Sequence, residues 1–138
     1  MFSVVTSVSW LAVLAATLAS FILGGLWFTV LVGQQYAAAL GREYEPKARP
    51  APIFLIGPLF CCLITTVTSA ILMSALHIDF LGDALLFGAI VGIGYVVTTM
   101  TNIAINPNFP RPFMYAAINA PYFILSNLLT SLILFLVR

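Results

Sequence analysis

The sequence predicts an all-α membrane protein, a bundle of four transmembrane helices forming one domain. Composition is the first reason: 62% of the 138 residues are hydrophobic and only 7% are charged, where a water-soluble domain carries about a quarter charged residues. The second is distribution. The charged residues Arg42, Glu43, Glu45, Lys47, Arg49, Asp79, Asp83, Arg111 and Arg138 fall between long apolar stretches. The third is length, since each stretch has the roughly 20 residues that a helix needs to cross a hydrocarbon core of about 30 Å. Lipid offers the backbone no hydrogen-bond partners, which leaves helices or a closed barrel, and the alternating pattern of a barrel is absent.

The first span is expected over residues 10–32. Trp10 opens it and Trp27 lies about 26 Å further along at helical rise, so the two indoles mark opposite interfaces. Although Ala37, Ala38 and Ala39 downstream suggest a leader cleavage site, no Lys or Arg precedes the run. It also exceeds the apolar core of a leader, about 7 to 15 residues, and is expected to be retained. Within it Ala12, Ala16, Ser20 and Gly24 recur every fourth residue, a ridge on which another helix can pack closely.

The loop over residues 33–52 is expected to begin with a short interfacial helix from Gln34 to Leu40, ended by Gly41. Pro46, Pro50 and Pro52 then favour extended backbone. The second span, 53–76, has Pro58 near its first turn, where a missing N–H costs little, and presents Cys62, Thr65, Thr66 and Ser69 on one face. Its neighbouring cysteines, Cys61 and Cys62, point about 100° apart on a helix and read as two small apolar side chains.

The third span, 84–105, carries Gly88, Gly92, Tyr95, Thr99, Asn102 and Asn106 at alternating steps of four and three, the seam of left-handed packing. Gly88 and Gly92 are expected against another helix. Asp79 and Asp83 suit capping ahead of Ala84; with His77 they also form the one conceivable metal set, which is given second place to capping. The segment from Asn106 to Pro112 is rich in turn formers. The fourth span, 114–137, presents Asn119, Phe123, Ser126 and Thr130 on one face, and Pro121 removes the N–H that the carbonyl of residue 117 would accept.

Four prolines, Pro107, Pro110, Pro112 and Pro121, withdraw backbone donors around the third loop. Asn102, Asn106, Arg111 and Asn119 are therefore expected to gather there as a polar cluster that satisfies the freed carbonyls or holds a headgroup, a small solute or a partner loop. The bland alternative is a proline-kinked helix whose asparagines mend their own ladder.

Charge and chemistry exclude several functions. A net charge of +1 implies no nucleic-acid partner. No ionisable residue falls inside a span, which argues against proton-coupled transport. No nucleophile, base or metal set converges, so neither an enzyme nor a cofactor is expected. The first and third loops carry Arg42, Lys47, Arg49 and Arg111 against Arg138 on the other side, so the positive-inside rule places those loops in the cytoplasm and both termini outside.

The run Gly24-Gly25-Leu26-Trp27-Phe28, continued by Leu31-Val32-Gly33-Gln34-Gln35-Tyr36, resembles a family of small four-helix bacterial membrane proteins catalogued only as a domain of unknown function. Arg111-Pro112-Phe113-Met114-Tyr115, with Ile118-Asn119 and Tyr122, is similar to that family's last span. Tyr36 stands where the family pattern suggests tryptophan. The resemblance implies the architecture argued above and a bacterial inner membrane. The expected function is non-enzymatic, an oligomeric or accessory subunit whose partners are the bilayer and either further copies of itself or a membrane-protein complex. The alternative is a transporter or channel for a neutral or lipid-like solute, using the threonine and asparagine faces.

Overall fold

A computed structural model describes residues 7–47 and 49–138. The protein is all-helical, with 77% of residues in helices and no strand among the described residues. Helix α1 is Trp10–Leu31, α3 is Ile53–Ala75, α4 is Leu81–Ala104 and α5 is Pro112–Leu136, all four long and apolar enough to cross a membrane. The short α2, Gly33–Ala39, follows α1 directly.

Helix α5 is the central element, packed between α1 and α4, while α3 rests mainly on α1 and only lightly on α5. At the end near the termini Ala12, Val13, Ala16, Ala70, Met73, Ala84 and Leu134 form a buried cluster, beside which lies a small cavity of about 90 Å³. Leu11, Leu14, Leu18 and Ile22 run along the opposite side of α1 and are exposed, as befits a helix whose outer stripe meets lipid.

Caps set the ends of the helices. Ser9 accepts the backbone N–H of Ala12 at 3.4 Å and starts α1. Gly41 at φ 68° ends α2, with its N–H on the Ala38 carbonyl and the Arg42 N–H on the Ala37 carbonyl, a Schellman motif. The same motif ends α3, where His77 takes the left-handed position at φ 52°, its N–H on Ser74 and the Ile78 N–H on Met73. His77 is thus a helix terminator. Asp79 pairs with Arg138 at 3.4 Å, and Asp83 lies in the first turn of α4 behind an N-cap, Phe80, that has no side-chain cap bond. The capping expected of the two aspartates is therefore corrected to an ion pair and a first-turn charge at the positive helix end.

Two corrections concern the spans. Pro58 lies in the second turn of α3, which starts at Ile53 as expected, so its missing N–H is not cost-free and it removes the donor for the Phe54 carbonyl. The inward face of α4 also departs from the expected seam. Its buried residues are Ala84, Gly88, Gly92, Met100 and Ala104, at steps of four or a multiple of four, while Tyr95, Thr99 and Asn102 are exposed. Steps of four overrun an ideal α-helical turn by about 40° each. The π-helical segment Ile90–Val97 holds more residues per turn, which takes up that drift and turns Tyr95, Thr99 and Asn102 outward.

Candidate functional site: a cleft between α3 and α5

Close packing and its failure both centre on α5. A Cβ on Gly88 would lie 2.8 Å from the Asn127 carbonyl oxygen and 3.1 Å from Leu128 Cα, and one on Gly92 would lie 3.3 Å from Ile124 Cα. The α4 and α5 backbones thus meet at contact distance, as small residues permit in lipid. On α1, Ala16 and Ser20 are buried, and a Cβ on Gly24 would strike the Tyr122 hydroxyl at 2.8 Å. Every small residue of these ridges is used inside one chain.

Between α3 and α5 the packing opens into a cavity of about 680 Å³. It begins near Tyr36 and Tyr115 and runs to Thr130, about 22 Å along α5 at helical rise. There the Ser20 and Thr130 hydroxyls close it with a 2.8 Å hydrogen bond. Cys61 and Thr65 line it yet are exposed, so the α3 flank is open. Its volume falls in the range of about 300 to 1,000 Å³ typical of small-molecule sites.

One part of the wall is aromatic. Phe28 stacks with Tyr36 at 4.8 Å and with Tyr122 at 5.0 Å between centroids, Tyr36 with Tyr115 at 5.8 Å, and Tyr122 with Phe123 at 5.0 Å. Burial, with the Tyr115 phenol alongside, pushes the Tyr36 phenol up to about 12. The other part is polar: Asn119 lies on α5 between Tyr115 and Tyr122, and Thr66, Asn127 and Thr130 lie deeper. Thr66 is 1% exposed and finds no hydrogen-bond partner among the described residues. Asn119 and Asn127, also buried, each give Nδ2 to the carbonyl one turn back, Tyr115 and Phe123, at 2.8 Å, and among the described residues nothing donates to their Oδ1 atoms. No Asp, Glu, Lys, Arg or His is among the described residues lining the cavity. The arrangement can orient a neutral molecule by hydrogen bonds and ring contacts; it offers no carboxylate or imidazole for proton transfer.

The four residues expected to form a polar cluster do not do so. Asn119 reaches into the bundle from α5, whereas Asn106 closes the end of α4 by donating to the Ile103 carbonyl and accepting the Asn108 N–H at 2.8 Å. Asn102 and Arg111 are exposed, and no hydrogen bond joins any two of the four among the described residues. The correction has two causes: the π segment rotates Asn102 outward, and the asparagines mend local backbone, which is nearer than any neighbour. The link from α5 to α1 is Trp27 Nε1, which donates to the Ile118 carbonyl at 3.1 Å, the carbonyl next to that of Ala117, from which Pro121 withdraws the helical donor.

The sequence picks out the α3 face of Cys62, Thr65 and Thr66 and the α5 face of Asn119, Ser126 and Thr130, as packing first and as a polar-lined path or pocket second. It misses the aromatic wall and Asn127. A signal was present: Gly24, Trp27, Phe28 and Tyr36 from one family-like run meet Tyr115, Ile118 and Tyr122 from the other. No curated protein and no solved structure matches the chain. Residues 11–135 match the family described as "Protein of unknown function (DUF1761)", a stretch that contains both runs, and the chain therefore belongs to that family.

Proposed function

We propose that this chain is a non-enzymatic membrane protein that binds a neutral, lipid-like molecule in the cleft between α3 and α5. The observation that carries the reading is the cavity of about 680 Å³, open on the α3 flank and lined, among the described residues, by no charged side chain. A flank open toward lipid admits a solute that already resides in the bilayer, and an uncharged lining spares that solute the cost of meeting an unpaired charge in a low dielectric. The oligomeric or accessory reading loses one of its supports, since the small-residue ridges are occupied within one chain. A water-filled path through Thr65, Thr99 and Asn102 loses its support too, since the last two sit on the outer face of α4.

The test is native mass spectrometry of the full chain released from mild detergent. Wild type is expected to carry a neutral-lipid adduct, and Thr65→Trp, which fills the cleft from its open side, is expected to lose it while keeping its melting temperature. A wild type without adduct, or a tryptophan variant that retains it, overturns the reading.

The proposal extends to orientation in a bacterial inner membrane. Gly41 and Pro110 put the first and third loops at one end of the bundle, and these loops hold Arg42, Lys47, Arg49 and Arg111 against Arg138 at the other end, so they belong in the cytoplasm. In a background lacking Cys61 and Cys62, an impermeant thiol reagent applied outside should label Gly82→Cys and spare Glu45→Cys. The reverse pattern inverts the protein.

A further inference from the structure

The cleft is polar where a membrane site is ordinarily apolar. Tyr36 and Tyr115 stand at the first-loop end, but the unpartnered Thr66 hydroxyl lies on α3 thirteen residues inside its start, and Asn127 and Thr130 line the same cavity from α5. At helical rise that is about 20 Å from the start of α3, beyond the middle of a hydrocarbon core of about 30 Å. A lipid with a charged head would hold that head at the interface, beside the aromatic wall, and run its chains over the uncommitted hydroxyl and amide groups, leaving them unsatisfied. The reverse pose satisfies both ends. A small uncharged head enters to the depth of Thr66, and an apolar body fills the space along Phe28, Tyr122 and Phe123.

Resting on the reading of the cleft as a lipid-like binding site, we infer that its ligand is an uncharged amphiphile with a small hydroxyl-bearing head, held head-inward at mid-membrane by Thr66 and the Asn127 carboxamide. A hydroxyl suits this floor because it both donates and accepts: Asn127 Oδ1 takes its proton, and the Thr66 hydroxyl donates to its oxygen. Charged analogues are excluded by desolvation, since among the described lining residues there is no counter-ion to meet them.

The full chain in phosphatidylcholine nanodiscs would be labelled with two photoactivatable probes of equal length, a diazirine-bearing hexadecanol and the corresponding hexadecyl phosphate. The labelled residues are then mapped by mass spectrometry. The alcohol is expected to label the cleft saturably and the phosphate not to. Thr66→Val should weaken the alcohol's apparent affinity about three- to tenfold, the range of one polar contact in a membrane, and Thr66→Ser should restore it. If Thr66→Val fails to fold, Asn127→Leu tests the same contact. Equal labelling by both probes, or a Thr66→Val protein as tight as wild type, overturns the head-group inference and leaves the cleft as a general lipid site. Absence of saturable labelling by either probe overturns the cleft itself.

Discussion

Helix α5 meets α4 on one flank and α3 on another, and the two contacts differ in kind. Against α4, Gly88 and Gly92 bring backbones to van der Waals distance, with 3.1 Å from a Gly88 Cβ to Leu128 Cα. Against α3, proline-interrupted and resting mostly on α1, the helices stand apart around a cavity of about 680 Å³. Lipid gives no hydrophobic drive to close such a gap, because acyl chains are as apolar as leucine; helices associate there through fit and hydrogen bonds. Where glycine supplies fit the bundle is dense, and where aromatic rings, proline and hydroxyls stand instead it stays open.

The largest expected effect breaks the dense side. Gly88→Ala places a methyl group against Asn127 and Leu128 backbone atoms that cannot rotate away, so the two helices must part, at a cost of about 2 to 3 kcal/mol. Thermal unfolding in detergent should show it as a lowered melting temperature, and an unchanged one would mean that the α4–α5 contact is loose. Next comes the link between the halves of the cleft. Trp27→Phe keeps the ring but removes the donor to the Ile118 carbonyl, and should cost about 1 kcal/mol and speed hydrogen exchange around Pro121.

A smaller effect of opposite sign sharpens the contrast. Gly25 neighbours Gly24 in sequence, yet a Cβ there would meet nothing within 4 Å. Gly25→Ala should therefore stabilise α1 by about 0.5 to 1 kcal/mol through reduced backbone entropy, and a loss would place Gly25 against an undetected surface. The last effect, absent at neutral pH, is a dependence on alkaline pH at the mouth of the cleft. The Tyr36 phenol is raised from 10.0 to about 12, so the folded protein holds a proton that the unfolded chain releases. Its contribution is full below pH 10 and lost as pH rises toward 12. Tyr36→Phe should flatten the stability profile in that window and leave it unchanged at neutral pH.

Much of the fold was legible in the sequence for a definite reason. A membrane imposes length, apolarity and internal hydrogen bonding on every span, so composition alone yields the all-α class and four crossing helices; the family-like runs likewise pointed to the family that residues 11–135 match. Gly41 announced the end of α2, since only a left-handed residue closes that turn without strain, whereas His77 at the end of α3 gave no such sign. The small-residue ridge of α1 was readable because its period is that of the helix. What the sequence could not give was phase. The π segment Ile90–Val97 resets the face of α4, and an i→i+5 ladder forms where tertiary packing rewards it rather than where any residue demands it. Asn102 thus left the expected cluster, while Asn106 and Asn119 spent their amides on local carbonyls. The cleft was beyond reach for a related reason. Thr66, Asn127 and Thr130 have the spacing of packing residues, and only the separation of α3 from α5 decides that the same hydroxyls and amides line a cavity instead of a seam.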